Sequence, residues 1–145
     1  MNIKKRIVKS PKIYIRDTGI LHQLLGITAP NMLEGNPIRG NSWEGYVIEQ
    51  ISFHARDRYG LYFYRAHQGA ECDLVVTIAN RPVMAAEIKY TAAPRIGKGL
   101  RIAIEDLGTM NNYIVCLCDE DYPITENITV CKLENFIMKY LNVSD

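Results

Sequence analysis

The sequence has no long apolar run, no cysteine pairing pattern and no repeated or low-complexity segment. Its apolar runs are too short to span a bilayer, and its first residues, Met-Asn-Ile-Lys-Lys-Arg, lack the apolar stretch of a secretory signal peptide. The four cysteines show neither a CxxC pair nor the spacing of zinc ligands. From these absences we expect a cytoplasmic protein with no membrane partner, whose cysteines stay free because the compartment is reducing.

A nucleotide-binding phosphate loop is missing too. Because no Gly-x-x-x-x-Gly-Lys-Ser/Thr occurs, we do not expect the chain itself to bind ATP in that way. Its 145 residues, 48% apolar and 23% charged, have the size and composition of one globular domain with a core. We expect this domain to occupy residues 12–145, and residues 1–11 to be an arm or the end of a preceding domain.

Charge is unevenly distributed, although the formal net charge is only +1. Residues 1–16 carry six basic side chains and no acidic one, whereas the rest of the chain carries eleven basic and sixteen acidic side chains. A basic arm on a mildly acidic body suits contact with nucleic acid. A solvated linker has the same composition, and the sequence leaves both interpretations open.

Two neighbouring apolar segments, residues 71–78 and 83–89, predict a pair of strands joined by the turn Ala79-Asn80-Arg81-Pro82. Side chains alternate between the two faces of a strand. One face would form an apolar layer, made of Cys72, Leu74, Val76, Ile78, Met84, Ala86 and Ile88. The opposite face would bring Asp73, Glu87 and Lys89 together, and it also carries Glu71, Val75, Val83 and Ala85.

Two carboxylates on one partly apolar face repel each other, and a divalent cation relieves that repulsion. Hard oxygen ligands select Mg²⁺ or Mn²⁺ over zinc. A lysine beside the ion could hold or deprotonate a water molecule, or neutralise a phosphate, which is the equipment for metal-assisted phosphodiester hydrolysis. The alternative is a solvated hairpin face on which Lys89 forms a weak ion pair with Glu87.

These residues resemble a known signature. Asp73 followed by Glu87-Ile88-Lys89 resembles the D…(D/E)-x-K motif of the PD-(D/E)XK, or restriction-endonuclease-like, nuclease superfamily. The resemblance extends to the C-terminal domain that follows the ATPase module in a widespread family of prokaryotic AAA-type ATPases. Four motifs occur in that family's order: Lys12 to Gly19, Gly40 to Val47, Tyr64-Arg65 with Glu71 to Leu74, and Ala86 to Lys89.

The resemblance implies an α/β fold with a restriction-endonuclease-like αβββαβ core, in which helices flank a mixed central sheet. It also implies that the chain is the C-terminal fragment of a larger ATPase, with the ATPase domain of the full-length chain as partner and DNA as substrate. In this interpretation Asp73, Glu87 and the backbone carbonyl of Ile88 bind Mg²⁺ or Mn²⁺, while Lys89 orients the attacking water. The superfamily's proline before the first acid is absent, since Glu71-Cys72 precede Asp73.

Glu44 lies at the edge of the apolar stripe of a predicted helix. The resemblance makes it the helix-borne acid that contacts the metal site through water. Alternatively, Glu44 is a first-turn acid that stabilises the helix N-terminus by a few tenths of a kcal/mol. Glu71 is either an accessory acid or a solvated residue at the start of its strand.

A further group of polar and basic side chains could line the approach to the site and bind phosphates: Arg65, His67, Tyr90, Arg95, Lys98 and Arg101. Such contacts would be independent of base sequence and sensitive to salt. A mixed-charge solvent face explains the same residues equally well. The sequence also leaves open whether two copies form a homodimer.

Periodicity and turn residues predict the remaining elements. We expect helices over residues 17–26, 41–58, 97–108 and 133–141, strands over 12–16, 61–66, 113–118 and 128–132, and loops over 28–40, 67–70, 90–95 and 119–127. Two functions then compete. One is a metal-dependent deoxyribonuclease domain beside an ATPase motor, and the other is a catalytically inactive module of the same fold that binds protein or nucleic acid and regulates the ATPase.

Overall fold

A computed structural model describes residues 13–66 and 69–141. The helices are α1 (Thr18–Leu24), α2 (Pro30–Leu33), α3 (Ile38–Ala55), α4 (Lys98–Leu107) and α5 (Leu133–Asn135), with a 3₁₀ turn at Arg56–Arg58 and a π-helical turn at Phe136–Leu141 after α5. The strands are β1 (Gly60–Arg65), β2 (Glu71–Ile78), β3 (Arg81–Ile88), β4 (Asn111–Val115), β5 (Tyr122–Thr125) and β6 (Ile128–Cys131). Within this part of the chain, no helix is both long and apolar enough to cross a membrane.

The strands form one six-stranded mixed sheet in the order β1-β2-β3-β4-β6-β5. Neighbouring strands are antiparallel from β1 to β3 and parallel from β3 through β4 to β6, and β5 is antiparallel to β6. The connection through α4 makes the parallel pairing of β3 and β4 possible. The prediction of a mixed sheet flanked by helices is confirmed.

Helices cover both faces of the sheet. The side chains of α3 and of the C-terminal helical segment form one core layer with the sheet, centred on Val47, Ile51 and Phe136, which have no exposed surface. The side chains of α4 form a second layer on the other face, where Leu100 and Ala103 are fully buried. The predicted apolar stripe of α3 is confirmed, and β4 is covered on both sides.

The β2–β3 hairpin closes with a two-residue turn, Ala79-Asn80, which is shorter than predicted. Both residues have positive φ, 48° and 62°, as a type I′ turn requires. Such a turn matches the twist of its flanking strands and fixes their register. It therefore determines which residues meet at the far end of the hairpin.

Two β-bulges change the predicted faces of this hairpin. Along β1 and β2 the pairing shifts between Tyr62↔Val75 and Tyr64↔Cys72, so two residues of β2 lie opposite one residue of β1. Because a bulge interrupts alternation, Cys72 packs in the α4 layer instead of beside Leu74. A second shift, opposite Val76 and Thr77, puts Val83 against the α3 layer instead of the α4 layer.

Several predicted boundaries were wrong. Residues 13–16 form no strand, and the predicted loop over 28–40 contains α2 and the first residues of α3. α3 begins at Ile38 after Pro37, not at Asn41 or Ser42. β4 begins and ends earlier than predicted, and β5 lies within the predicted loop over 119–127. α1 begins after Asp17, whose carboxylate accepts the backbone N–H groups of Gly19 and Ile20, and α4 ends at Gly108, which has a positive φ.

Candidate metal site at the end of the β2–β3 hairpin

Asp73 and Glu87 lie at the same end of the hairpin. The paired register of β2 and β3 runs to Leu74↔Ala86, and Asp73 and Glu87 are the next residues beyond that pair on their strands. Asp73 Oδ2 accepts a hydrogen bond from the backbone N–H of Ile88 at 2.9 Å. The aspartate of β2 therefore contacts the backbone of the Glu87-Ile88-Lys89 segment directly.

Glu87 has two partners of positive character. Its Oε1 lies 3.3 Å from Lys89 Nζ, and its Oε2 accepts the backbone N–H of Gly97 at 2.9 Å. The side chains of Glu87 and Lys89 are 16% and 30% exposed, so water reaches the pair without surrounding it. The carboxylate is thus held in one orientation at the edge of the core.

The first turn of α4 lies against this end of the sheet because glycines leave room for it. A Cβ atom at Gly97 would overlap the carboxylate of Glu87, and one at Gly99 would overlap the backbone carbonyl of Glu71. Any larger residue at either position forces α4 or its neighbour to move. The glycine spacing therefore brings the start of α4 to Glu87.

Cys72 is a buried thiol at this end of the hairpin. Burial, with the negative charges of Asp73 and Glu87 as smaller causes, raises the pKa of its thiol to about 12. A thiol with such a pKa stays protonated at neutral pH, which makes it a poor nucleophile and a poor metal ligand.

Glu44 is anchored to the segment that precedes α1. Its Oε1 accepts a 2.5 Å hydrogen bond from the Tyr14 hydroxyl, and the Tyr14 ring lies against α3 at Gly45. Since α3 begins at Ile38, Glu44 lies about two turns into the helix. The interpretation of Glu44 as a first-turn dipole acid is therefore wrong.

The sequence matches a family of known proteins. Residues 39–136, more than half of the chain, match the family described as Domain of unknown function (DUF4143). The chain belongs to this family. No solved structure matches it significantly.

This DUF4143 chain is similar to two mycobacterial proteins, uncharacterized protein Rv2008c of Mycobacterium tuberculosis and uncharacterized protein Mb2031c of Mycobacterium bovis. Each is 41% identical to it over 136 residues, which are 94% of this chain and 30% of the relative. The chain thus spans about 30% of the length of these curated relatives.

The candidate phosphate-binding residues of the DUF4143 domain occupy different surroundings. Arg65 forms a 2.5 Å ion pair with Glu71, which partly compensates the charge of Arg65. Glu71 therefore has a protein partner and is not simply a solvated residue at the start of its strand. Tyr90 packs against α3, as its contacts with Arg39 and Trp43 show. Three basic residues are exposed on the loop before α4 and on α4 itself: Arg95, Lys98 and Arg101. His67, like residues 1–12, lies outside the described residues.

The donor set of the DUF4143 site suits a hard cation. Its side-chain donors are two carboxylates, and oxygen ligands of this kind fit Mg²⁺ or Mn²⁺, which keep several water ligands. Across residues 13–66 and 69–141 no group of three or more His, Cys, Asp or Glu side chains forms a metal cluster. A cation here would therefore be bound by Asp73, Glu87, a backbone carbonyl and solvent.

Sequence reasoning missed three supports of this site. Gly97 and Gly99 position α4, and Tyr14 holds Glu44. The sequence does carry a signal for the role of the two glycines, because a Gly-x-Gly at the start of an amphipathic helix allows two backbones to approach closely. Nothing local could reveal the Tyr14–Glu44 bond, because the two residues are thirty positions apart.

Proposed function

We propose that this DUF4143 domain hydrolyses DNA phosphodiesters with Mg²⁺ or Mn²⁺ bound by Asp73 and Glu87. The observation that carries the proposal is the charge arrangement at the end of the hairpin. Asp73 Oδ2 accepts the backbone N–H of Ile88 at 2.9 Å, and the ammonium group of Lys89 lies 3.3 Å from the partly buried carboxylate of Glu87. Charged groups that are partly buried together at one end of a sheet favour a functional role.

Each residue has a distinct part in this proposal. Asp73 and Glu87 provide carboxylate oxygens, and the Ile88 carbonyl is a third protein oxygen donor. A bound divalent cation would polarise the phosphodiester and acidify water. Lys89 would hold the attacking water or balance charge on the phosphate, and Glu44, oriented by Tyr14, would contact the site through solvent.

The wider context belongs to the same proposal. The order α3-β1-β2-β3-α4-β4 supports a restriction-endonuclease-like αβββαβ core. The much greater length of the two relatives supports attachment to a longer protein, which we take to be an AAA-type ATPase. The four free, buried cysteines support a location in the reducing cytoplasm.

The test is Mn²⁺ binding and DNA cleavage by wild type and by the isosteric variants Asp73→Asn and Glu87→Gln. Calorimetry with Mn²⁺ should give a binding heat for wild type and none for either variant, because each variant lacks one anionic oxygen donor. Cleavage of linear, circular and single-stranded DNA should fall at least about a hundredfold in both variants and in Lys89→Met.

Glu105→Gln is the matched control, because Glu105 is an exposed acid on the outer face of α4. It should bind Mn²⁺ and cut DNA like wild type. Wild-type protein that cuts none of these DNA forms with either ion would remove catalysis from the proposal. Equal Mn²⁺ heats from wild type and Glu87→Gln would remove the metal site.

The second candidate function is a catalytically inactive module that docks and regulates. Exposed apolar side chains on and after α1 favour it: Ile20, Leu24 and Leu25 are 55%, 72% and 51% exposed. Apolar side chains grouped in one segment indicate an interaction surface. This function predicts that Asp73→Asn and Glu87→Gln leave partner binding intact.

A further inference from the structure

Four side chains, on α3 and on the segment that follows β3, form an aromatic and cationic group. Arg39, Trp43 and Tyr46 follow one another at four- and three-residue spacing, which puts them on one side of α3. Tyr90 directly follows Lys89 and closes the group from the sheet end. The Trp43 ring centroid lies 5.9 Å from those of both Tyr46 and Tyr90, and the guanidinium carbon of Arg39 lies 4.7 Å from the Tyr90 centroid.

The rings are open to solvent despite these contacts. Tyr46 is 41% exposed and Tyr90 is 43% exposed, whereas Trp43 is half-buried against the α3 core layer. The Trp43 indole nitrogen is buried and has no hydrogen-bond partner within the described residues. A buried N–H donor without an acceptor is uncommon, and an additional group can supply the acceptor.

Tyr90 directly follows Lys89 in the chain, but its side chain has different neighbours. Glu87 contacts the backbone of Gly97 just before α4, whereas Tyr90 packs against α3, so the aromatic group lies on the α3 side of this end of the sheet. Arg39 adds a cation that stacks on the ring and can contact a phosphate. Aromatic faces alternating with cations are how proteins hold unpaired nucleic acid strands.

From this geometry we infer that Arg39, Trp43, Tyr46 and Tyr90 form a stacking platform for an unpaired base of single-stranded DNA. The inference deepens the proposed function, on which it rests for the position of the scissile phosphate. Bases within a duplex are stacked on each other and cannot offer a free face to Tyr90. The platform therefore selects a single strand, or a frayed end, over paired DNA.

The experiment measures DNA binding in EDTA, so that no cleavage occurs. A fluorescein-labelled oligothymidine strand reports binding by anisotropy, and Trp43, the single tryptophan of the chain, reports stacking by quenching of its fluorescence. We expect quenching by the single strand and weaker binding of a duplex of the same length. Tyr90→Leu should weaken single-strand binding about tenfold, whereas Tyr90→Phe, which keeps the ring, should stay within about twofold of wild type.

Tyr122→Leu is the matched control, because Tyr122 is 39% exposed on β5 and lies outside the platform. Equal single-strand affinity of wild type and Tyr90→Leu would overturn the inference and reduce Tyr90 to a packing residue of its loop. Preference for the duplex would overturn it as well. If binding depends on Tyr90 but no Mn²⁺-dependent cleavage occurs, the platform is kept and the nuclease activity is removed. If cleavage occurs but binding does not depend on Tyr90, the nuclease activity is kept and the platform is removed.

Discussion

At the scale of single residues, Asp121, which directly precedes β5, connects the sheet to the C-terminal helical segment. Its carboxylate accepts hydrogen bonds from the Asn135 amide and the Tyr140 hydroxyl, both at 2.9 Å, and from the Lys132 backbone N–H at 3.4 Å. Lys139 Nζ lies 3.6 Å away. Burial alone would raise the pKa of Asp121, but these donors and the Lys139 charge outweigh it and lower that pKa.

Asp121→Asn should lower the free energy of unfolding by about 2 kcal/mol at neutral pH, the usual contribution of hydrogen bonds to a charged group. A carboxyl group with a lowered folded-state pKa stabilises the fold above its unfolded-state pKa, about 3.9, and loses that contribution as pH falls towards the folded-state value. The difference between wild type and variant should therefore shrink below about pH 4.

Urea unfolding across this pH range checks the expectation. Asp119→Asn, an exposed acid two positions earlier, is the control and should unfold like wild type. A difference between wild type and Asp121→Asn that stays constant from neutral to acid pH would show that the charge of Asp121 is unimportant. The same carboxylate, with burial as the larger cause, raises the pKa of Tyr140 to about 12.

At the scale of elements, α4 depends on glycines for its place on the sheet. Gly99 is the second residue of α4 and Gly40 is the third residue of α3, and neither has a positive φ. A Cβ at Gly40 would meet no atom within 4 Å, whereas one at Gly99 would overlap the carbonyl of Glu71. Replacing glycine by alanine near the start of each helix therefore isolates the effect of the contact between Gly99 and the carbonyl of Glu71.

Gly99→Ala should lower the free energy of unfolding by about 3 kcal/mol, because backbone atoms must separate to admit the methyl group. Gly40→Ala should raise it by about 0.5 to 1 kcal/mol, because alanine restricts the unfolded chain and favours the helix. Chemical unfolding of both variants makes the comparison. If the two substitutions changed the free energy of unfolding with equal sign and size, the close approach of α4 to β2 would be contradicted.

Long amphipathic elements could be predicted from the sequence, but short ones could not. The apolar stripe of α3 and the helix over 98–107 follow from periodicity, because each buries one face against the sheet. β5 carries little signal of its own: it has only four residues, one of them Pro123, three of the four are exposed, and it is held by pairing with β6. The bulges also escape local reasoning, because an extra residue shows only against a partner strand.

At the scale of the whole molecule, the sheet brings together residues that are far apart in the sequence. The candidate acids and Lys89 could be named from their spacing, because they lie on adjacent strands of one hairpin. Arg39 and Trp43 were missed as neighbours of Tyr90, since some fifty positions separate them and only the packing of α3 on the sheet joins them. Neighbours within one hairpin are therefore easier to predict from the sequence than neighbours on separate elements.

The protein should stay folded in excess chelator and unfold in one cooperative thermal transition. Glu87 is already balanced by Lys89 and the Gly97 N–H, and Asp73 by the Ile88 N–H, so the fold needs no ion to compensate these charges. Thermal unfolding with EDTA and with excess Mg²⁺ measures this. Reversible binding of Mg²⁺ to the folded state should raise the midpoint above its value in EDTA, whereas loss of the cooperative transition in EDTA would mean that an ion is part of the folded framework.

The ion-independent bonding of Glu87 has a consequence for the protein in a living cell. Shortage of divalent metal would silence the proposed chemistry and spare the architecture, since nothing in the core would have to unfold or refold. Activity would then return as soon as the metal supply recovered, without new synthesis of the protein.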